Sequence, residues 1–163
     1  MIRRGLDLAR RFVRGGDGAA LAEFGMVAPV LLLIFAVVID GGRIAWTYQS
    51  AAAGVRDAAR MVARIAPDDL CPGGSVAGFD TLVTDIVTQS ITGNSIFPTG
   101  ATIVDVVPSY RCLTGYRVDP AAVVEVRAQI RIDYLWGGVT GLFGTALGPL
   151  DTEVFDQSRV FGR

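Results

Sequence analysis

Between Ala19 and Ile39 the chain carries one charge, Glu23, and apolar residues occupy nearly every position of a helical perimeter. A surface helix keeps a polar face, so that description does not fit. As a helix, about 21 residues at about 1.5 Å each reach about 32 Å, enough to cross a hydrocarbon core of about 30 Å. The pattern predicts a membrane-spanning helix over 19–40 rather than a buried core helix. Pro29 lies inside it, removing one backbone hydrogen bond and favouring a kink. Membrane helices tolerate such a residue where neighbours satisfy the freed carbonyl. A functional kink that helps subunits pack or slide and a harmless one are both compatible with the pattern.

The helical period continues past Asp40-Gly41-Gly42. Ile44, Tyr48, Ala51, Val55, Ala58, Val62 and Ile65 fall at spacings of four and three, a heptad-like seam over 41–66. Asp57 and Arg60 are spaced to pair on the helix surface. Trp46 and Tyr48 suit an outer membrane interface. The later half of the seam is read as covering the chain's own C-terminal sheet, and Pro67 ends the helix.

The remaining segment, 67–163, mixes periods. Asp68 to Gly78 is a Pro- and Gly-rich loop; Phe79, Leu82, Val83, Ile86, Val87 and Ser90 predict a short helix over Asp80–Ser90; Thr92 to Ser95 reads as a turn. Ala101–Val107 is a strand closed by Pro108, and Tyr110–Pro120 is a loop or hairpin connection. From Val123 to Tyr134 apolar and charged residues alternate strictly, which predicts a half-buried strand with Glu125, Arg127, Arg131 and Asp133 on a solvated face. Thr152–Val160 is a last strand, antiparallel to it. Between them Leu135–Leu150 is glycine-rich and apolar, with Trp136, Leu142, Phe143 and Leu147. It is too short for a second span and either returns toward lipid or a partner or folds on the domain's own core. The expected fold class is α+β: a long helix, a short second helix and an antiparallel sheet of three or four strands.

Charge orients this plan. Arg3, Arg4, Arg10, Arg11 and Arg14 precede the apolar run, and positive residues stay cytoplasmic, which places everything after Asp40 outside. The formal net charge of −1 speaks against a nucleic-acid partner. There is no histidine and no lysine, which removes a His-based nucleophile system, His-built zinc sites and a phosphate-binding Walker loop. No catalytic residue, metal ligand or cofactor is expected. Glu125 or Asp133 as a catalytic acid is a far weaker reading than a solvated, cross-strand-paired face. Outside the cytoplasm the two cysteines, Cys71 and Cys112, are expected to pair.

Glu23 needs separate treatment. A carboxylate deep in an apolar helix costs about 2.5–3.5 kcal/mol on insertion scales, and less near the interface. It either reaches water at the membrane edge or requires a cationic partner. A short basic leader ends at Gly18, Glu23 and Phe24 are the fifth and sixth residues after it, and a long apolar run follows. This resembles type IV prepilins, and Ala20-x-x-Glu23-Phe24-x-x-x-x-Pro29-x-Leu31-Leu32-Leu33 is similar to the signature of TadE-like minor pilins (pseudopilins) of Tad, or Flp, pilus systems. Asp40-Gly41-Gly42-Arg43 is similar too, although that family often has Glu where Asp40 stands. The likeness covers about Gly18 to Arg64 and is architectural beyond.

The resemblance implies a pilin-like fold in which one helix over Ala19–Ala66 carries a globular head. It implies a leader over 1–18 removed by a prepilin peptidase between Gly18 and Ala19. Gly15-Gly16-Asp17-Gly18 would then hold the cut site extended and accessible. Cleavage would leave ten arginines against fourteen acidic residues, a side-chain sum of −4. Glu23 would pair with the free N-terminal amine of a neighbouring subunit. The implied partners are the peptidase, other pilin and pseudopilin subunits and inner-membrane lipid. The implied location is the bacterial inner membrane, with a periplasmic head that can enter an extracellular pilus and serve adhesion. The Asp-x-Ser-x-Ser metal motif of larger, TadG-type pseudopilins is absent. Two other readings remain: an anchored periplasmic binding domain unrelated to pili, and a domain released by signal peptidase near Ala51.

Overall fold

The computed structural model describes residues 17–89, 92–117, 119–141 and 144–161. The leader arginines, Ser90, Leu142 and Phe143 lie outside the described residues. The chain divides into two compact units, one up to Ile39 and one from Asp40 onward.

Helix α1 runs from Asp17 to Ile65 with Pro29 inside it. In the first unit its apolar side chains, among them Phe24, Met26, Leu32, Phe35, Val37 and Val38, are exposed. In the second unit one stripe of the helix is buried: Ala51, Val55, Ala58, Ala59, Val62 and Ala63. The helix stops at Pro67, which cannot continue the backbone ladder; Ala66 N–H still closes on the Val62 carbonyl at 2.8 Å. Arg64 in the last turn complements the negative end of the helix dipole. A short α2 (Leu70–Gly73), a 3-10 turn (Ala77–Phe79) and α3 (Asp80–Thr88) follow.

Three strands form one antiparallel sheet in the order β1 (Ala101–Leu113), β2 (Ala121–Ile132), β3 (Leu150–Arg159). A short α4 (Gly137–Thr140) lies in the β2–β3 connection. Val124, Val126, Ala128, Ile130 and Ile132 turn to one face of β2 and share the core with Val55 and Val62 of α1 and Val83 and Val87 of α3. The sheet thus gives one face to the helices, as its period of two requires. The α+β class with a long apolar helix, a short second helix and an antiparallel sheet is the one the sequence predicts.

Several boundaries differ. β1 does not close at Pro108 but continues to Leu113, so Cys112 lies in a strand and not in a loop. β1 is an edge strand bonded on one side, where a proline without an N–H is tolerated. β2 begins at Ala121 and ends at Ile132; Asp133 leaves the ladder and donates its N–H to the Gly100 carbonyl at 2.7 Å. Cys71 and Cys112 are bonded, with Cα atoms 6.1 Å apart. Tyr110 adds a second tie by donating its hydroxyl to the Gly74 carbonyl at 2.8 Å. Tyr48, placed on the seam by spacing, is half-exposed, and Ala59 and Ala63 take a larger share of the buried stripe. Arg56 rather than Arg60 reaches an acid, Asp156 at 3.4 Å.

Candidate membrane and assembly site

The site is built on α1. Gly18 and Ala19 lie in its first turn, not in an extended segment, because the helix already begins at Asp17. Ala19 is exposed. Glu23, Phe24 and Pro29 are exposed on the same helix, and among the described residues Glu23 has no salt bridge. The span 18–65 contains a window of mean hydropathy 2.5 with no residue of that window buried, long and apolar enough to cross a membrane. One such helix fits a single-pass membrane anchor.

Asp40 and Arg43 form a bracket where the second unit begins. Asp40 is buried and accepts from Arg43 Nη1 at 3.0 Å, three residues on. Its two carboxylate oxygens also accept the backbone N–H groups of Leu135 at 3.1 Å and Trp136 at 3.3 Å. Arg43 in turn donates to the carbonyls of Asp133, at 3.4 Å, and Thr99. The bracket thus ties α1 to the end of β2 and to the turn before β1. Thr47, fully buried, returns its hydroxyl to the Arg43 carbonyl at 2.8 Å. The roles of Asp40 and Arg43 were not legible as contacts. The available signal was an acid directly after an apolar run with an arginine one helical turn later. Trp46 is 65% exposed and Tyr48 half-exposed, so both aromatic rings are free to meet an interface.

The second polar cluster lies on the helix-averse face of the sheet; Arg127, Gln129 and Arg131 of β2 are exposed there, as expected, and Glu125 alone is not. Glu125 is only 4% exposed. It accepts from Arg127 Nε at 2.5 Å, Arg111 Nη2 at 2.7 Å and Gln157 Nε2 at 2.6 Å. Arg127 also binds Glu153 at 2.8 Å and stacks its guanidinium 5.2 Å from the Phe155 ring centre. Arg131 grips Asp151 with two bonds, at 2.8 and 3.2 Å. Burial pushes the Glu125 carboxyl up, but the Arg127 hydrogen bond and charge, the Arg111 charge and the Gln157 amide together outweigh it and hold its pKa below the ordinary value. Asp151 is likewise lowered by its hydrogen bond from Arg131. An acid held ionised under three donors is a structural crosslink and a poor proton donor. Among the described residues no group of His, Cys, Asp and Glu is arranged to hold a metal.

Residues 18–60 match the family described as TadE-like protein. The matched segment contains Gly18, Glu23, Phe24, Pro29, Asp40 and Arg43 and ends inside α1, so the sheet lies beyond it. The match spans 43 of the 163 residues. No curated protein and no solved structure matches the chain.

Proposed function

With residues 18–60 matching a TadE-like protein, we propose that this chain is a minor pilin or pseudopilin of a Tad pilus. A prepilin peptidase would cut it between Gly18 and Ala19 and leave it in the inner membrane until assembly. The observation that carries the reading is this match, laid on an apolar, exposed stretch, Ala19–Ile39, whose one charge is Glu23 at the fifth position after Gly18. In lipid, an ammonium and a carboxylate each lower the burial cost of the other. Glu23 would therefore take the new N-terminal amine of a neighbouring subunit, Phe24 would extend the apolar contact, and Pro29 would loosen the helix locally for packing. The five leader arginines support a cytoplasmic N-terminus. The Cys71–Cys112 bond supports a periplasmic head, since disulfides persist in oxidising compartments. Other pilin subunits, the peptidase and lipid are the partners, and the subunit takes a place at or near the pilus tip or in initiation, with adhesion following.

The test is the N-terminal residue of the membrane-extracted protein, measured by mass spectrometry with and without the host's prepilin peptidase. A peptidase-dependent start at Ala19 is expected. An intact Met1 or Ile2 would make the chain a plain anchored domain, and a start near Ala51 a released one. In the same preparation Glu23→Ala should still start at Ala19 but yield no pili by electron microscopy; normal piliation would remove the pairing role.

A further inference from the structure

We infer that the corner formed by Leu135 and Trp136 is a second lipid contact, lying in the outer interfacial layer of the same bilayer that α1 crosses. This rests on the reading that residues 19–39 span the membrane. Leu135 is 57% exposed and Trp136 43%, two large apolar side chains side by side on the surface of the second unit. Leu147, farther along the same connection, is exposed as well.

Covalent geometry fixes where this corner lies. Asp40 directly follows Ile39, the last residue of the apolar run, so it adds about 1.5 Å of helix beyond the span. Its carboxylate holds the N–H groups of Leu135 and Trp136 at 3.1 and 3.3 Å. The corner backbone is therefore within about one side-chain length plus one hydrogen bond, roughly 7 Å, of Asp40, and about 8.5 Å at most along the axis from the end of the span. Each interfacial layer is itself about 5–8 Å thick, the difference between the full bilayer and its hydrocarbon core shared over two sides. Bond lengths set this limit in every tilt of the second unit. Tryptophan favours that layer, where the ring is apolar and the indole N–H still finds water or a headgroup.

Chemistry also suits the corner to lipid. A loop entering the interface must not carry unpaired backbone donors. Here both donors are taken by Asp40, and Arg43 in turn neutralises the carboxylate. The bracket thus presents two apolar side chains on a backbone whose two N–H donors are already satisfied.

The chain has two tryptophans, Trp46 and Trp136, so Trp46→Phe leaves Trp136 as the only reporter. Trp46 is exposed, so this change removes no packing from the core. The full chain is placed in phosphatidylcholine–phosphatidylglycerol nanodiscs whose acyl chains carry bromine either near the headgroup or near the chain end. Trp136 fluorescence should be quenched several-fold more by the shallow bromines than by the deep ones, with little quenching by aqueous iodide. Quenching by iodide alone would put the corner in bulk water and overturn the inference. Protection from both quenchers would give the corner to a protein surface and overturn it equally. A Phe35→Trp reporter in a Trp46→Phe, Trp136→Phe background separates the two readings. Quenching of that reporter by acyl-chain bromine without quenching of Trp136 keeps the span and removes the corner contact. Absence of quenching at both positions removes the span on which the inference rests, and the inference with it. Quenching of Trp136 without quenching of that reporter removes the span and overturns the inference, because the corner would then not share a bilayer with α1.

Discussion

Glu125 sits among alternating strand residues that should all meet water, and its neighbours close over it instead. Arg111 reaches it from β1, Arg127 from its own strand and Gln157 from β3. The arginines stay about half-exposed, so the charge they bring keeps most of its hydration. The carboxylate is desolvated but receives three donors, so bonds to the charged form outweigh burial. Glu125→Gln should therefore cost about 1–2 kcal/mol at neutral pH, the scale of charge-assisted hydrogen bonds exchanged for weaker ones. The folded pKa lies below the ordinary 4.5, so the stabilisation is complete above 4.5 and is lost as pH falls through the folded value. Urea unfolding of both proteins across acid pH should show a gap that closes on acidification. A gap that widens toward low pH would mean that burial, not the donors, sets this carboxyl.

At the scale of elements, α1 meets α3 through a glycine. A Cβ on Gly54 would lie 3.0 Å from the Val87 Cα and 3.3 Å from its carbonyl oxygen, so the two backbones approach more closely than most side chains allow. Gly54→Ala gains up to about 1 kcal/mol of helix propensity and loses a similar amount to crowding, leaving it near neutral. Gly54→Leu cannot be accommodated and should lower stability by about 2 kcal/mol, read from urea unfolding of the full chain in detergent. Equal stability of the two variants would mean that the α1–α3 contact yields freely. Gly100 has a different reason to be glycine. Its φ of +82° is one that residues with a side chain rarely adopt, and a Cβ there would meet the Arg43 guanidinium that completes the Asp40 bracket. The buried stripe Ala51, Val55, Ala58 and Val62 was legible from spacing alone, because a helix repeats its faces every three to four residues. The continuation of β1 past Pro108 was not legible. Whether a proline ends a strand depends on whether that strand is an edge, which is a property of the sheet and not of the segment.

At the scale of the whole molecule, the Cys71–Cys112 bond joins α2, just after the long helix, to β1, across 41 positions of chain. A crosslink of that separation restricts the unfolded chain by about 3–4 kcal/mol in the loop-entropy treatment. Reduction, or Cys71→Ser with Cys112→Ser, should lower the stability of the second unit by about that amount, seen as a lower urea midpoint in full-length protein in detergent. An unchanged midpoint would leave the bond without a stabilising role. Charge divides along the chain as well. Five of the fifteen arginines precede Gly18, and the rest of the chain is acidic overall. That division supports the proposed orientation in a membrane and says nothing about the fold.

The amino-acid sequence by itself determined the apolar span, Glu23 within it, the helical stripe that follows and the alternating strand β2. Each of these is a local repeat or a local absence of charge, readable within one segment. Tertiary structure decided what needs two distant segments at once. It closed Arg111, Arg127 and Gln157 over Glu125, and it seated Leu135 and Trp136 on Asp40, 95 and 96 positions away in the chain. Periodicity assigns a side chain to a face. Whether that face meets water, a neighbouring strand or a carboxylate from a distant helix depends on what the folded chain brings against it.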